Sequence, residues 1–123
     1  TSVAYAETLA FLADALAADL PSVILTHHQV APVGVPWLDA FIAPGVAQLW
    51  EIVRGKRVLG VLAGHVHLTH EQLMEGIPTF TLRSTAFQFA RSAEPTAVLQ
   101  PPHYRFVTIH HDVLTSRIFE VPV

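Results

Sequence analysis

Residues 3–20 place Tyr5, Leu9, Leu12, Leu16 and Leu20 on one stripe at steps of three and four, with Glu7 and Asp14 opposite. That spacing predicts an amphipathic helix, which Pro21 ends. Ser22–Thr26 (SVILT) is too short for a helix and apolar enough for a buried strand, and it delivers His27 and His28 at its C-terminal end. Residues 29–44 hold Pro32, Gly34, Pro36 and Pro44 around Trp37 and read as a loop with one anchored aromatic. A second helix is predicted from about Pro44 to Arg54, with Val46, Leu49, Trp50 and Val53 on one face and Gly55 beyond its end. Residues 57–63 (RVLGVLA) repeat the buried-strand pattern and run directly into Gly64-His65-Val66-His67.

The texture then becomes antiparallel. Residues 69–74 and 77–82 flank Glu75-Gly76, a two-residue hairpin turn, and Pro78 argues that the second of these strands lies near an edge. Residues 90–103, with Pro95, Pro101 and Pro102, read as an excursion, and 104–110 with 114–121 as a last strand pair. No internal repeat and no low-complexity tract is present. The order α-β-α-β-β-β-β-β predicts an α/β fold with a mixed sheet and antiparallel C-terminal strands.

Composition narrows the function classes. A chain of 123 residues, residues 1–123, is the size of one module. It is 51% hydrophobic but only 14% charged, against about 25% in ordinary soluble domains, so apolar surface is expected to pack against a partner. Glu7, Asp14, Asp19, Asp39 and Glu51 interrupt every N-terminal apolar stretch before it reaches membrane-spanning length. No leader pattern opens the chain, and a cytoplasmic protein without a membrane partner is expected. A formal charge of −3 offers no footprint for a nucleic-acid polymer. The absence of cysteine removes thiolate ligands and cysteine nucleophiles.

What remains is imidazole. The sequence has 8 histidines, and His27, His28, His65 and His67 follow two predicted strands, at the carboxyl edge where α/β sheets bind ligands. Imidazole suits Zn, Mn and Fe, and residues two apart beyond a strand can serve neighbouring ions. Gly64 reads as a place where the backbone approaches closely. His27, His65 and His67 are the metal-ligand candidates. His28 is expected behind them, as a supporting or packed neighbour, because adjacent side chains diverge. His70, His103, His110 and His111 receive no role.

Five segments carry a family resemblance: Ile24-Leu25-Thr26-His27-His28, Trp37-Leu38-Asp39, Leu62-Ala63-Gly64-His65-Val66-His67, Gly76-Ile77-Pro78, and 84–89 (STAFQF). Together they resemble the C-terminal half of a calcineurin-like metallophosphoesterase, within it the class III cyclic-nucleotide phosphodiesterases and related glycerophosphodiesterases. The resemblance runs from about residue 8 to the end. It implies a four-layered α-β-β-α sandwich holding two divalent or mixed-valence metal ions (Mn, Fe, Zn or Co), His27 and His65 on one ion and His67 on the other. It places Trp37 and Asp39 beside a substrate pocket and 84–89 on its far side, with Gln88 as a polar contact. Core packing is the competing reading of Trp37 and Phe87. Gln29, Val30 and Arg83 stand where the family commonly has proline; Arg83 is either an anion contact or an ordinary strand-end residue.

The family's upstream Asp-x-His, Gly-Asp-x-x-Asp and Gly-Asn-His-Glu/Asp motifs have no counterpart here. Asp14, Asp19, Asp39 and Asp112 are the only aspartates, none followed by x-His, and no asparagine occurs. Two dications held close together repel unless anionic ligands lie between them. The resemblance therefore implies half of a phosphodiesterase that hydrolyses cyclic nucleotides or small phosphodiesters by hydroxide attack. No catalytic residue is expected within this half. Alone it should be inactive, bind fewer ions, and await a missing N-terminal half. Its uncovered sheet edge should drive homo-oligomerisation, with exchanged elements. Two other readings stand beside this one: a mononuclear module using His27, His65 and His67, and a metal-free dimerisation domain.

Overall fold

The computed structural model describes residues 3–122. Helix α1 (Val3–Leu16) leads into β1 (Ser22–Thr26), a short α2 (Pro36–Asp39), α3 (Val46–Val53) and β2 (Val58–Ala63). The hairpin β3 (His70–Met74) and β4 (Ile77–Thr81) follows, then β5 (Gln88–Phe89), β6 (Ala97–Val98), β7 (His103–His110) and β8 (Val113–Glu120). The fold is mixed α/β, as the order of patterns predicts. Strands β1, β2, β4 and β3 form one sheet in that order, parallel across β1–β2–β4 and antiparallel at β4–β3.

Alternation along β2 divides the molecule into layers. Val61 points into a core with Leu16, Val30, Trp50 and Val53, which Val58 joins because the β1–β2 ladder shifts register between Val58 and Gly60, so α1 and α3 cover one face. Gly60 and Phe80 point the other way, toward the β7–β8 hairpin. There a Cβ on Gly60 would lie 3.1 Å from Leu114 Cδ1, and the Arg105 guanidinium sits 4.6 Å from the Phe80 ring centre. Glycine at 60 thus opens the space that Leu114 fills. Among the described residues the layers are helices, sheet and hairpin.

Several local expectations change. The first helix ends at Leu16, not Leu20, because Asp19 takes a left-handed conformation (φ 51°) and a residue before proline avoids helical geometry. Leu20 consequently stays exposed. Pro78 is not near an edge: β4 lies between β2 and β3. Proline is tolerated there because the parallel ladder to β2 is made by Thr79 and Phe80, just beyond it, where amide donors resume. The loop after β1 contains α2, started by Pro36 at a position where no intrahelical amide is needed. The 90–103 excursion pairs back through β6 onto β5. The β3–β4 hairpin closes through the predicted Glu75-Gly76 turn, and β7–β8 closes one residue more tightly than 104–110 and 114–121 imply, through His111-Asp112; all four turn residues are left-handed.

The strand-to-loop transition after β1 is pinned by buried polar contacts. Trp50 Nε1–H donates to the Val30 carbonyl at 2.9 Å, and Gln29 Nε2 donates to the Leu38 carbonyl at 2.7 Å, both buried. Trp50→Phe strips the Val30 carbonyl of its donor in a site closed to water. It should cost about 2 kcal/mol, measured as a lowered urea midpoint with unchanged slope. Equal stability of the two proteins would mean that this hydrogen bond does not hold the loop.

Candidate metal centre

Register builds this site. Because β1 and β2 are parallel with Thr26 beside Ala63, both strands end together, and His27-His28 emerge next to Gly64-His65. The Gly64 amide closes the junction by donating to the His27 carbonyl at 3.0 Å. A Cβ on Gly64 would meet only ordinary contacts, at 3.6 and 3.7 Å from His27 atoms. The close approach expected there does not require glycine.

Three imidazoles converge. His65 Nδ1 lies 3.4 Å from His27 Nε2, and the rings of His28 and His65 stack with centres 4.3 Å apart. One ring nitrogen from each of His27, His28 and His65 lies within 4.8 Å of the others. Tetrahedral ligands at ~2.0–2.1 Å from an ion are about 3.3 Å apart, so the His27–His65 pair already has ligand spacing. His28 is the member the sequence places behind the ligands. Its ring reaches the group because Nδ1 is held on the Phe41 carbonyl at 2.8 Å, which leaves Nε2 for the cluster. A ligating histidine is normally supported in this way. Phe41, which sequence reasoning missed, supplies that carbonyl and also packs on His65, with ring centres 5.5 Å apart. Only an aromatic after Asp39 in an otherwise small-residue loop hinted at it.

His67 lies apart from the trio. Its Nδ1 is 2.7 Å from the Phe87 carbonyl, and its ring stacks on Phe89 at 4.9 Å. His65 and His67 both hold positive φ, 61° and 48°, a conformation costing non-glycine residues roughly 1–2 kcal/mol. The two imidazoles have different neighbours, His65 meeting His27 and His28, and His67 meeting Phe87 and Phe89. Burial, then the neighbouring His28, His27 and His67, hold the His65 imidazole below its ordinary 6.5, favouring the neutral form that a metal requires.

The other candidates are occupied by structural work. Asp39 accepts from the Val33 and Gly34 amides, one with each carboxylate oxygen. Gln88 is buried; its Oε1 accepts from the Ser84 amide and its Nε2 donates to the Ser84 and Gln100 carbonyls. Trp37 packs on the cluster of Val33, Val35, Leu38, Val66 and Leu68, edge-on to Phe89. Its buried Nε1–H makes no hydrogen bond. Phe87 is part-exposed against His67 and Phe89. Arg83 donates to the Pro101 carbonyl and to Glu120.

Burial also lowers His70 and His103, with Arg91 and Arg83 respectively adding to the effect. Each of these three imidazoles takes up protons more readily unfolded than folded. The metal-free protein should therefore lose stability as pH falls through about 6.5 and should be pH-independent in this respect well above it. Urea midpoints at pH 8, 7, 6 and 5.5 check this; a midpoint that rises toward pH 5.5 contradicts it.

No family model matches the chain. Among curated proteins, it is similar to a 3′,5′-cyclic adenosine monophosphate phosphodiesterase of Vibrio vulnificus, at 33% identity over 91 residues, covering 72% of this chain and 33% of that protein. A probable cyclic nucleotide phosphodiesterase of a Psychrobacter species is 27% identical over 92 residues, covering 72% of this chain and 27% of the relative. A probable cyclic nucleotide phosphodiesterase of Psychrobacter arcticus is 29% identical over 70 residues, covering 56% of this chain and 25% of that protein. The chain thus spans between a quarter and a third of the length of the curated relatives it matches. No helix among the described residues is long and apolar enough to cross a membrane.

Proposed function

We propose that this chain is the C-terminal part of a calcineurin-like metallophosphoesterase of the cyclic-nucleotide phosphodiesterase group, acting on cyclic nucleotides or other small phosphodiesters. The convergence of His27, His28 and His65 at the ends of two parallel strands carries this reading. The cyclic-nucleotide phosphodiesterases it resembles support it. The donor set fits a borderline divalent ion such as Zn, Mn, Fe or Co. When bound, such ions supply Lewis-acid activation of water and neutralise charge on phosphoryl oxygens.

The chain's own residues orient and support. The Phe41 carbonyl fixes the His28 ring, and the Phe87 carbonyl fixes that of His67. The trio contains no carboxylate, so it provides no negative charge to hold a second ion close by. In this reading the carboxylates come from an N-terminal half, and the chain alone does not turn over. The partner surface is the outer edge of β1 with α1, where Leu25, Phe11 and Leu20 are 77%, 72% and 64% exposed. Without that half, the same edge makes self-association the default, with exchanged elements where the α1–β1 connection opens. The outer layer of the four-layered sandwich and a cytoplasmic location belong to this reading too.

A mononuclear three-imidazole module is the second reading, favoured by one observation: His28, rather than His67, completes a compact set with His27 and His65. Elemental mass spectrometry after chelation and reloading with Zn²⁺ or Mn²⁺ should find at most one ion per chain. His28→Ala and His65→Ala should each weaken Zn²⁺ binding by at least the ~10–100-fold typical of losing a ligand's support, and His67→Ala far less. Two ions per chain would sink the half-site reading, and full retention in His28→Ala would remove His28 from the site.

Complementation separates the two readings. An N-terminal half taken from one of the similar phosphodiesterases, mixed with this chain, should restore hydrolysis of bis(4-nitrophenyl) phosphate. His65→Ala should abolish that activity. A folded, metal-loaded complex without hydrolysis would leave only the mononuclear module.

A further inference from the structure

We propose that the cavity beside His67, walled by Arg83, Arg91 and His103, binds an oxyanion group (a phosphate or a carboxylate), at a place separate from the imidazole trio. The cavity measures about 360 Å³, ample for such a group and a carbon substituent. Its polar wall is His67, Thr69, Arg83, Arg91, Gln100 and His103, and its apolar wall includes Phe89 and Val98.

The two guanidiniums are held in place before any ligand arrives. Arg91 Nη1 donates to the Val33 carbonyl at 2.7 Å, and its Nη2 lies 3.1 Å from His70 Nδ1 and 3.4 Å from the Thr69 carbonyl. Arg83 Nη1 donates to the Pro101 carbonyl and to Glu120 Oε2, each at 3.2 Å. Those contacts use only part of each fork. Nε and Nη2 of Arg83, and Nε of Arg91, have no hydrogen-bond partner among the described residues. Donors fixed by backbone carbonyls and left unspent in a cavity wall suit an oxyanion, which a guanidinium meets with two parallel bonds. Pre-ordering also removes much of the entropy that two free arginine side chains would lose on binding.

Charge selects the same ligand class. Two permanent cations face the cavity, and the carboxylate paired with Arg83, Glu120, is 57% exposed at its side chain. Asp39, whose charge reaches His70, is spent on the Val33 and Gly34 amides. His103 is fixed by Thr69, with Nδ1 2.9 Å from Oγ1, and its Nε2 is 3.7 Å from Glu120. A cationic ligand or a metal ion would meet net repulsion here. The assignment does not depend on hydrolysis, so the chain can bind an anion here even if it is no phosphodiesterase half.

The test uses the whole chain treated with chelator, so that no metal-bound anion competes. Inorganic phosphate and, in a separate arm, acetate are titrated while the Nε–H resonances of Arg83 and Arg91 are followed by NMR. Both resonances should move together and saturate. Arg83→Gln should weaken phosphate binding by about tenfold or more, one charge-assisted contact's worth. Glu120→Gln should strengthen it several-fold by removing the competing carboxylate, a gain that no folding defect produces. Saturation by phosphate alone identifies a phosphoryl ligand; saturation by both admits a carboxylate ligand as well. Non-saturating shifts, shifts confined to His27, His28 and His65, or unchanged affinity in Glu120→Gln would each overturn the proposal.

Discussion

The parallel pairing of β1 with β2 is the constraint on which the rest depends. Parallel strands in one sheet have their carboxyl ends on the same side, and here the register sets Thr26 beside Ala63. Two histidine-bearing segments thirty-odd residues apart in the chain therefore leave the sheet together. A one-residue slip would turn Val61 from the helical core to the hairpin face and bring Gly60 into its place, so the core and the site are specified by one register. The connection from β1 to β2 contains α2 and α3, and α3 lies on the same face of the sheet as α1, which seals Val61 and Val58 from water.

Stability and chemistry trade against each other at that edge. Left-handed backbone at His65 and His67 is unfavourable for residues with a Cβ, and such strain persists only where surroundings over-determine it. Here the buried ring of Trp50 fixes Val30, the Gln29 amide fixes Leu38, and both oxygens of Asp39 hold the turn at Val33 and Gly34. The loop after β1 is thus rigid where the imidazoles need it. Burial that lowers the proton affinity of His65 acts in the same direction as metal binding, since both favour the neutral ring.

An apolar composition has a visible consequence. Large side chains that a core of this size does not cover lie on α1, on the outer strand β1 and on the outward face of the β7–β8 hairpin, with Phe11, Leu25 and Phe106 among the most exposed. The α1–β1 region is continuous with an unpaired sheet edge, which gives it both apolar area and free backbone groups to offer a partner. The hairpin face has Tyr104 stacked on Phe119 and Arg117 over the same ring, and so satisfies part of its surface internally.

Much was legible in the sequence because it is local. Apolar periodicity placed α1, though Pro21 put its end four residues too late; Glu75-Gly76 and alternating residues after Tyr104 marked the hairpins; two apolar runs ending in histidine marked the sheet edge. Short-range chemistry also removed thiolate from the donors, since no cysteine is present to serve. Long-range geometry was not legible. Adjacent side chains diverge in an extended strand, which argued His28 out of the group, but the chain bends beyond Thr26 and a carbonyl thirteen residues away, that of Phe41, captures its ring. Asp39 and Gln88 resemble free polar contacts until the loops that their side chains close are seen. Likewise Pro78 argued for an edge that the strand order denies. Sequence by itself determined the longer helices and strands and which residue types can hold a metal, because those follow from side-chain period and chemistry, but not the short α2, β5 and β6. Tertiary structure alone decided which three imidazoles meet and which arginines face a common cavity, because hydrogen bonds between distant segments aim each side chain.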